Sequence, residues 1–220
     1  MSGFLSSSIG KKLIMSLSGL FLVMFLLVHL VLNLMLFCGA EIYNAAAGFM
    51  GHNIIMKILE PVLAAGFLIH ILYSLVLYIQ NMKARPVRYK VVDQKESSAW
   101  TSRNMLLLGT AVFAFLVVHL IDYFYKIKFT DLIESGETTE YDLVISKFTS
   151  AYWYYVAIYV VGIIALGLHL NHAFQSAWQT LGLNNKHWAK RWRVIGTLYS
   201  LVVAVGFAII PIYFLIIEFV

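Results

Sequence analysis

Five long apolar runs, at 13–37, 54–79, 105–125, 152–173 and 194–217, organise the chain and are separated by polar segments. Each is close to the roughly 20 residues a helix needs to cross the hydrocarbon core of a bilayer. The runs are apolar on every side instead of alternating. They therefore predict helices, which pair their own backbone groups in lipid, and not barrel strands. Two connections are long. The stretch 81–104 is basic and polar, with Pro86 blocking helix continuation. The stretch 126–151 has room for a small cap. Glu60-Pro61 reads as a helix start, with proline in the first turn and an acid at the positive dipole end; residues 54–59 would then be an interfacial approach. No low-complexity linker divides the chain, so residues 1–220 form one all-α integral membrane bundle of five transmembrane helices.

Composition supports lipid as the solvent: 61% of residues are hydrophobic, 12% are charged and mean hydropathy is +0.81. The first run is too long for the apolar region of a signal peptide and has no small-residue cleavage site, so it is expected to stay in the mature protein. Charge sets the orientation. With five crossings, the N-terminus and the second and fourth connections share one side, which carries Lys11, Lys12, Lys83, Arg85, Arg88, Lys90, Lys95, Arg103, Lys186, Lys190, Arg191 and Arg193. Lys57, Lys126, Lys128 and Lys147 remain for the other side, a split of 12 to 4 among the 16 basic residues. The excess marks the cytoplasmic face, giving a cytoplasmic N-terminus and an outside C-terminus. The net charge of +5 is thus a topology signal, with no nucleic-acid partner implied. Cys38 is the only cysteine, which excludes CxxCH haem attachment, an internal disulfide and an iron–sulfur cluster held by this chain alone.

Histidine carries the candidate chemistry. His29, His70, His119 and His169 lie one in each of the first four runs, and His172 follows His169 by three residues. A lone intramembrane histidine is ordinarily a helix-to-helix hydrogen-bonding residue. Four of them, one per helix, point to function, because ionisable groups in lipid are costly. Depth sorts them. His29 and His119 sit 8 and 6 residues before the outer ends of their runs, while His70 sits 9 before an inner end and His169 is similarly late in its run. At ~1.5 Å per residue they form an outer layer of His29 and His119 and an inner layer of His70 and His169. Two facing imidazoles at one depth can ligate a haem iron on both sides, which favours electron transfer over oxygen chemistry. One tetrahedral zinc cannot collect histidines from two depths. Gly66 and Ala165, one turn before His70 and His169, would let a macrocycle approach, or simply pack helices. Spacing leaves open whether His169 or His172 is the ligand.

The segments FLLVHLVLNLMLFCGAEIYNAAAGFM, FLIHILYSLVLY, FLVVHLIDYFY and LGLHLNHAFQSAWQTLG together resemble the dihaem cytochrome b membrane-anchor subunit of succinate dehydrogenases and fumarate reductases. The likeness runs through all five helices. It implies a bacterial cytoplasmic-membrane subunit carrying two haems b, with His29 and His119 on the outer haem, His70 and His169 on the inner one, and His169 preferred over His172. It also implies partners on the cytoplasmic face, an iron–sulfur subunit and an FAD flavoprotein subunit, with menaquinone as redox substrate; a dimer of such heterotrimers is one assembly it allows. The chain alone has no dicarboxylate site, so its part in the enzyme is electron transfer.

Quinone chemistry couples electrons to protons, and the acids near the outer layer are Glu60 and Asp122. Tyr43, Asn44 and His52 share that side. Lys83, Arg103, Lys190 and Arg193 are within reach of inner-haem propionates, although topology and partner docking also explain them. Two alternatives keep the bundle: a cytochrome b serving a hydrogenase or another quinone-linked dehydrogenase, and a haem-free anchor or transporter with a histidine proton relay. The latter lacks an obvious inverted repeat with broken helices.

Overall fold

The structure, a computed structural model, describes residues 3, 7–84 and 100–218. Its helices are α1 (Ser8–Leu34), α2 (Ala40–His52), α3 (Ile54–Ala84), α4 (Trp100–Arg103), α5 (Met105–His119), α6 (Tyr125–Phe129), α7 (Glu140–Ile145), α8 (Trp153–Thr180) and α9 (Ala189–Ile217). Tight 3-10 turns at Met35–Cys38 and Ser150–Tyr152 and a π turn at Leu120–Phe124 extend or link them. No strand occurs among the described residues. Five stretches are long and apolar enough to cross a membrane: Ser8–Cys38, Ile54–Ala84, Met105–Phe129, Ser150–Thr180 and Ala189–Ile217. The protein is an all-helical, multi-pass membrane bundle.

α1 and α3 pack antiparallel, as do α5 and α8. Gly19 of α1 lies against His70 of α3, whereas Gly66 lies against Phe21. Gly109 of α5 similarly lies against His169 of α8, and Gly162 against Phe115. α1 packs on α3, α8 and α9, while α8 packs on α5 and α9. The α8–α9 seam is tight: a Cβ at Gly167 would stand 2.9 Å from the Ala204 Cβ, the close approach that small residues allow between membrane helices. Val23, Leu30, Leu170, Phe174 and Val203 bind α1, α8 and α9 together at mid-bundle. A second cluster around Tyr123, Phe148, Tyr159, Ile210 and Phe214 closes the end where the chain finishes. We call this end the C-face and the opposite one the N-face.

α3 stands apart from both cores. Of its 31 residues only Gly66 is buried, and α3 and α5 do not pack extensively on each other among the described residues. The helices α1, α3, α5 and α8 thus form a square open along the α3–α5 edge.

The span boundaries differ from the sequence expectation at several ends. α3 begins at Ile54, so Glu60-Pro61 is not a helix start and 54–59 is not a separate approach. The Asn53 Oδ1 accepts the Ile55 N–H at 2.8 Å and starts the helix about two turns early. Pro61 then lies inside α3, where it has no N–H to give the Lys57 carbonyl. α2, in the segment between the first two apolar runs, is a helix without a buried residue, set off by Gly39 at φ +93°, a conformation reserved for glycine. α2 meets the α7 cap where the Asn44 Oδ1 accepts the Tyr141 N–H at 2.9 Å. Pro86, Arg85, Arg88, Lys90 and Lys95 lie outside the described residues.

Candidate functional site

The four histidines meet in pairs across the diagonals of the open square. His29 on α1 faces His119 on α5, with ring centroids 5.7 Å apart and planes at 87°. His70 on α3 faces His169 on α8 at 6.3 Å and 74°. The pairs are those expected from depth. All four residues are half-buried. Gly19, which touches His70, precedes His29 by ten residues on α1, and Gly109, which touches His169, precedes His119 by ten on α5. Both helices therefore separate the layers by roughly 15 Å.

This spacing can be tested against a shared metal. An imidazole nitrogen binds a metal at ~2 Å and the ring centroid lies roughly 1 Å behind it, so two imidazoles on one ion have centroids about 6 Å apart. Both pairs match that value. The Nδ1 atoms of His119 and His169 are buried with no hydrogen-bond partner, and that of His169 lies on the ring edge facing Gly109 of α5. Among the described residues no group of three or more His, Cys, Asp or Glu could hold a bare metal ion. Two protein ligands at each depth suit an ion whose remaining coordination comes from a macrocycle.

The layers differ in their walls. The outer pair is sheathed in aromatics: Phe25 stacks on His29 at 5.3 Å, Phe207 lies 5.5 Å from it, and Phe115 and Tyr123 lie 6.0 and 5.2 Å from His119. The inner pair instead meets glycine, at Gly19 and Gly109. Gly66 is not a cofactor cradle, since the Phe21 ring fills the space over it, with a Cβ there 2.7 Å from Phe21 Cε1; Ala165 is buried in helix packing. Sequence reading missed Gly19 and Gly109, although the repeated ten-residue offset from glycine to histidine was available. His172 makes no ring contact with another histidine among the described residues, whereas His169 does.

The two acids are separated by the fold. Asp122 lies in the π turn just beyond His119, is 5% exposed, and accepts the Tyr159 hydroxyl at 3.1 Å. π turns are frequent at functional sites because they re-aim side chains. Glu60 sits near the C-face, half-exposed, in an ion pair with Lys128 at 2.7 Å. Tyr43 stacks edge-on to Tyr141 at 6.1 Å, and burial followed by the nearby Glu140 pushes its phenol up to about 12. The ring of exposed His52 bonds the Gly48 carbonyl through Nδ1 at 2.8 Å. Tyr43 and Asn44 thus serve the α2–α7 cap. Lys83, Lys190 and Arg193 lie at helix ends of the N-face, and Arg103 ends α4 there.

No protein-family model, curated protein or solved structure matches the chain.

Proposed function

We propose that the chain is a dihaem cytochrome b that anchors a soluble dehydrogenase to the bacterial cytoplasmic membrane and passes electrons between membrane quinone and that partner. The observation that carries this reading is the pair of diagonal histidine couples, each at the spacing of two imidazoles on one iron and stacked at two depths. A haem b held between two such imidazoles would exchange single electrons and would offer no site to O₂. His29 and His119 would hold the outer haem, and His70 and His169 the inner one. The two layers would stand roughly 15 Å apart, one walled by aromatic rings and the other by the backbone at Gly19 and Gly109. Asp122 or Glu60 would hold the proton that accompanies menaquinone chemistry near the C-face.

The resemblance of the helix-bound motifs to the anchor subunits of succinate dehydrogenases and fumarate reductases extends the reading to partners. An iron–sulfur subunit and an FAD flavoprotein subunit would dock at the basic N-face, which faces the cytoplasm by the positive-inside rule. Solubilisation in mild detergent, a pyridine haemochrome assay against protein and a redox titration test the reading together. Two haems b per chain with separate potentials are expected. One haem would reduce one layer to packing; none would discard the cytochrome and leave an anchor or transporter.

A further inference from the structure

The edge of the His70 ring rests on two successive residues of α1. Ser18 Oγ lies 3.4 Å from His70 Nδ1, while its own hydroxyl donates to the Met15 carbonyl at 3.0 Å. The bond to the carbonyl is the shorter one and is the usual back-bond of serine inside an apolar helix. A hydroxyl that has given its hydrogen to a carbonyl has only lone pairs to turn toward a ring nitrogen. In that arrangement His70 Nδ1 carries the proton and donates it to Ser18, which leaves the lone pair on Nε2. The next residue is Gly19. A Cβ there would stand 3.3 Å from His70 Cε1 and 3.6 Å from Nδ1, so the missing side chain lets the Nδ1–Cε1 edge lie against α1.

We infer that Ser18 and Gly19 form a seat on α1 that fixes both the tautomer and the plane of His70, with Ser18 as a positioning residue that makes Nε2 the ligating atom opposite His169. The other half of the bundle lacks the seat. Gly109 takes the place of Gly19, with a Cβ 3.8 Å from His169 Cε1. The residue before it is the buried Leu108, which has no acceptor, and His169 Nδ1 is left without a partner. The inner pair is therefore asymmetric, with one imidazole held by a neighbouring helix and the other by packing alone.

The tautomer belongs to the chain itself; only its use as an iron ligand rests on the proposed function. Nitrogen NMR of isotope-labelled histidines tests it on the full chain in lipid nanodiscs, produced under haem limitation, with the His70 signal assigned from H70A. The Nδ1–H tautomer is expected in the native chain and in Ser18→Thr, and a mixture of tautomers in Ser18→Ala. An Nε2–H tautomer in the native chain, or no change in Ser18→Ala, overturns the seat. In the haem-loaded protein, loss of the acceptor makes the imidazole a poorer electron donor. Ser18→Ala should then raise the midpoint potential of one haem, leave the other in place, and be rescued by Ser18→Thr; two unmoved potentials overturn the positioning role. A chain that takes up no haem would sink the proposed function while the NMR result still decides the seat.

Discussion

His29 and His119 stand 5.7 Å apart on two helices that do not pack extensively on one another. Nothing in helix packing requires them to meet, and a shared ligand gives a reason. Single alanine substitutions should therefore sort by layer. His29→Ala and His119→Ala are expected to remove the same haem, His70→Ala and His169→Ala the other, each lowering the content from two to one. His172→Ala should keep both. Haemochrome content and redox titration of the five variants check this; loss of different haems from His29→Ala and His119→Ala would break the pairing.

Much of this arrangement was legible in the sequence because lipid imposes strong rules. Run length located all five spans, and the position of each histidine within its run sorted the four into layers. The ends were less legible. Asn53 caps α3 well before the start suggested by Glu60-Pro61, and a membrane helix tolerates the interior Pro61 because neighbouring groups and local adjustment satisfy the freed carbonyl. α2 buries nothing, so no apolar stripe announced it. The π turn at Leu120–Phe124 needs only one shifted backbone bond and leaves no residue signature. The glycines facing the inner histidines were hidden because glycine inside a membrane helix ordinarily reads as helix packing.

Asp122 and Glu60 offer different environments for a quinone proton. Asp122 is buried on Tyr159 beside the outer histidine, whereas Glu60 shares its charge with Lys128 near the C-face. Asp122→Asn is expected to lower quinone turnover by at least ~100-fold, the usual loss of a positioned acid or base, with both haems retained. Glu60→Gln should cost at most ~1 kcal/mol of stability through its half-exposed ion pair. Menaquinol-analogue kinetics with haem spectra decide the matter; full turnover in both variants removes the acids from the proton path.

Tyr43 makes the C-face cap sensitive to alkali. Unfolded, its phenol titrates at 10.0; folded, it holds its proton to about 12. Between these values the folded state binds more protons, so stability falls as pH rises. Below pH 10 the contribution is complete. Thermal midpoints measured against pH should drop more steeply in this window for the native chain than for Tyr43→Phe. Parallel curves would show that the Tyr43 phenol stays exposed.

Gly162 and Phe115 test the packing that holds the outer layer. A Cβ at Gly162 would overlap Phe115 Cδ2 and Cγ and stand 2.9 Å from Phe115 Cβ. The near end of that side chain cannot swing away without moving α5 itself. Phe115 also lies 6.0 Å from the His119 ring and 5.1 Å from Tyr159. Gly162→Ala should therefore destabilise the bundle by about 1–3 kcal/mol, the range for overpacking a filled site, and displace His119 relative to His29. By contrast, Gly48→Ala on the exposed α2 meets nothing within 4 Å and should be close to neutral. Thermal unfolding in detergent reads the stability, and the spectrum of the haem assigned to His29 and His119 reads the displacement. An altered inner haem with an unchanged outer one would show that strain at Gly162 does not reach His119 through Phe115.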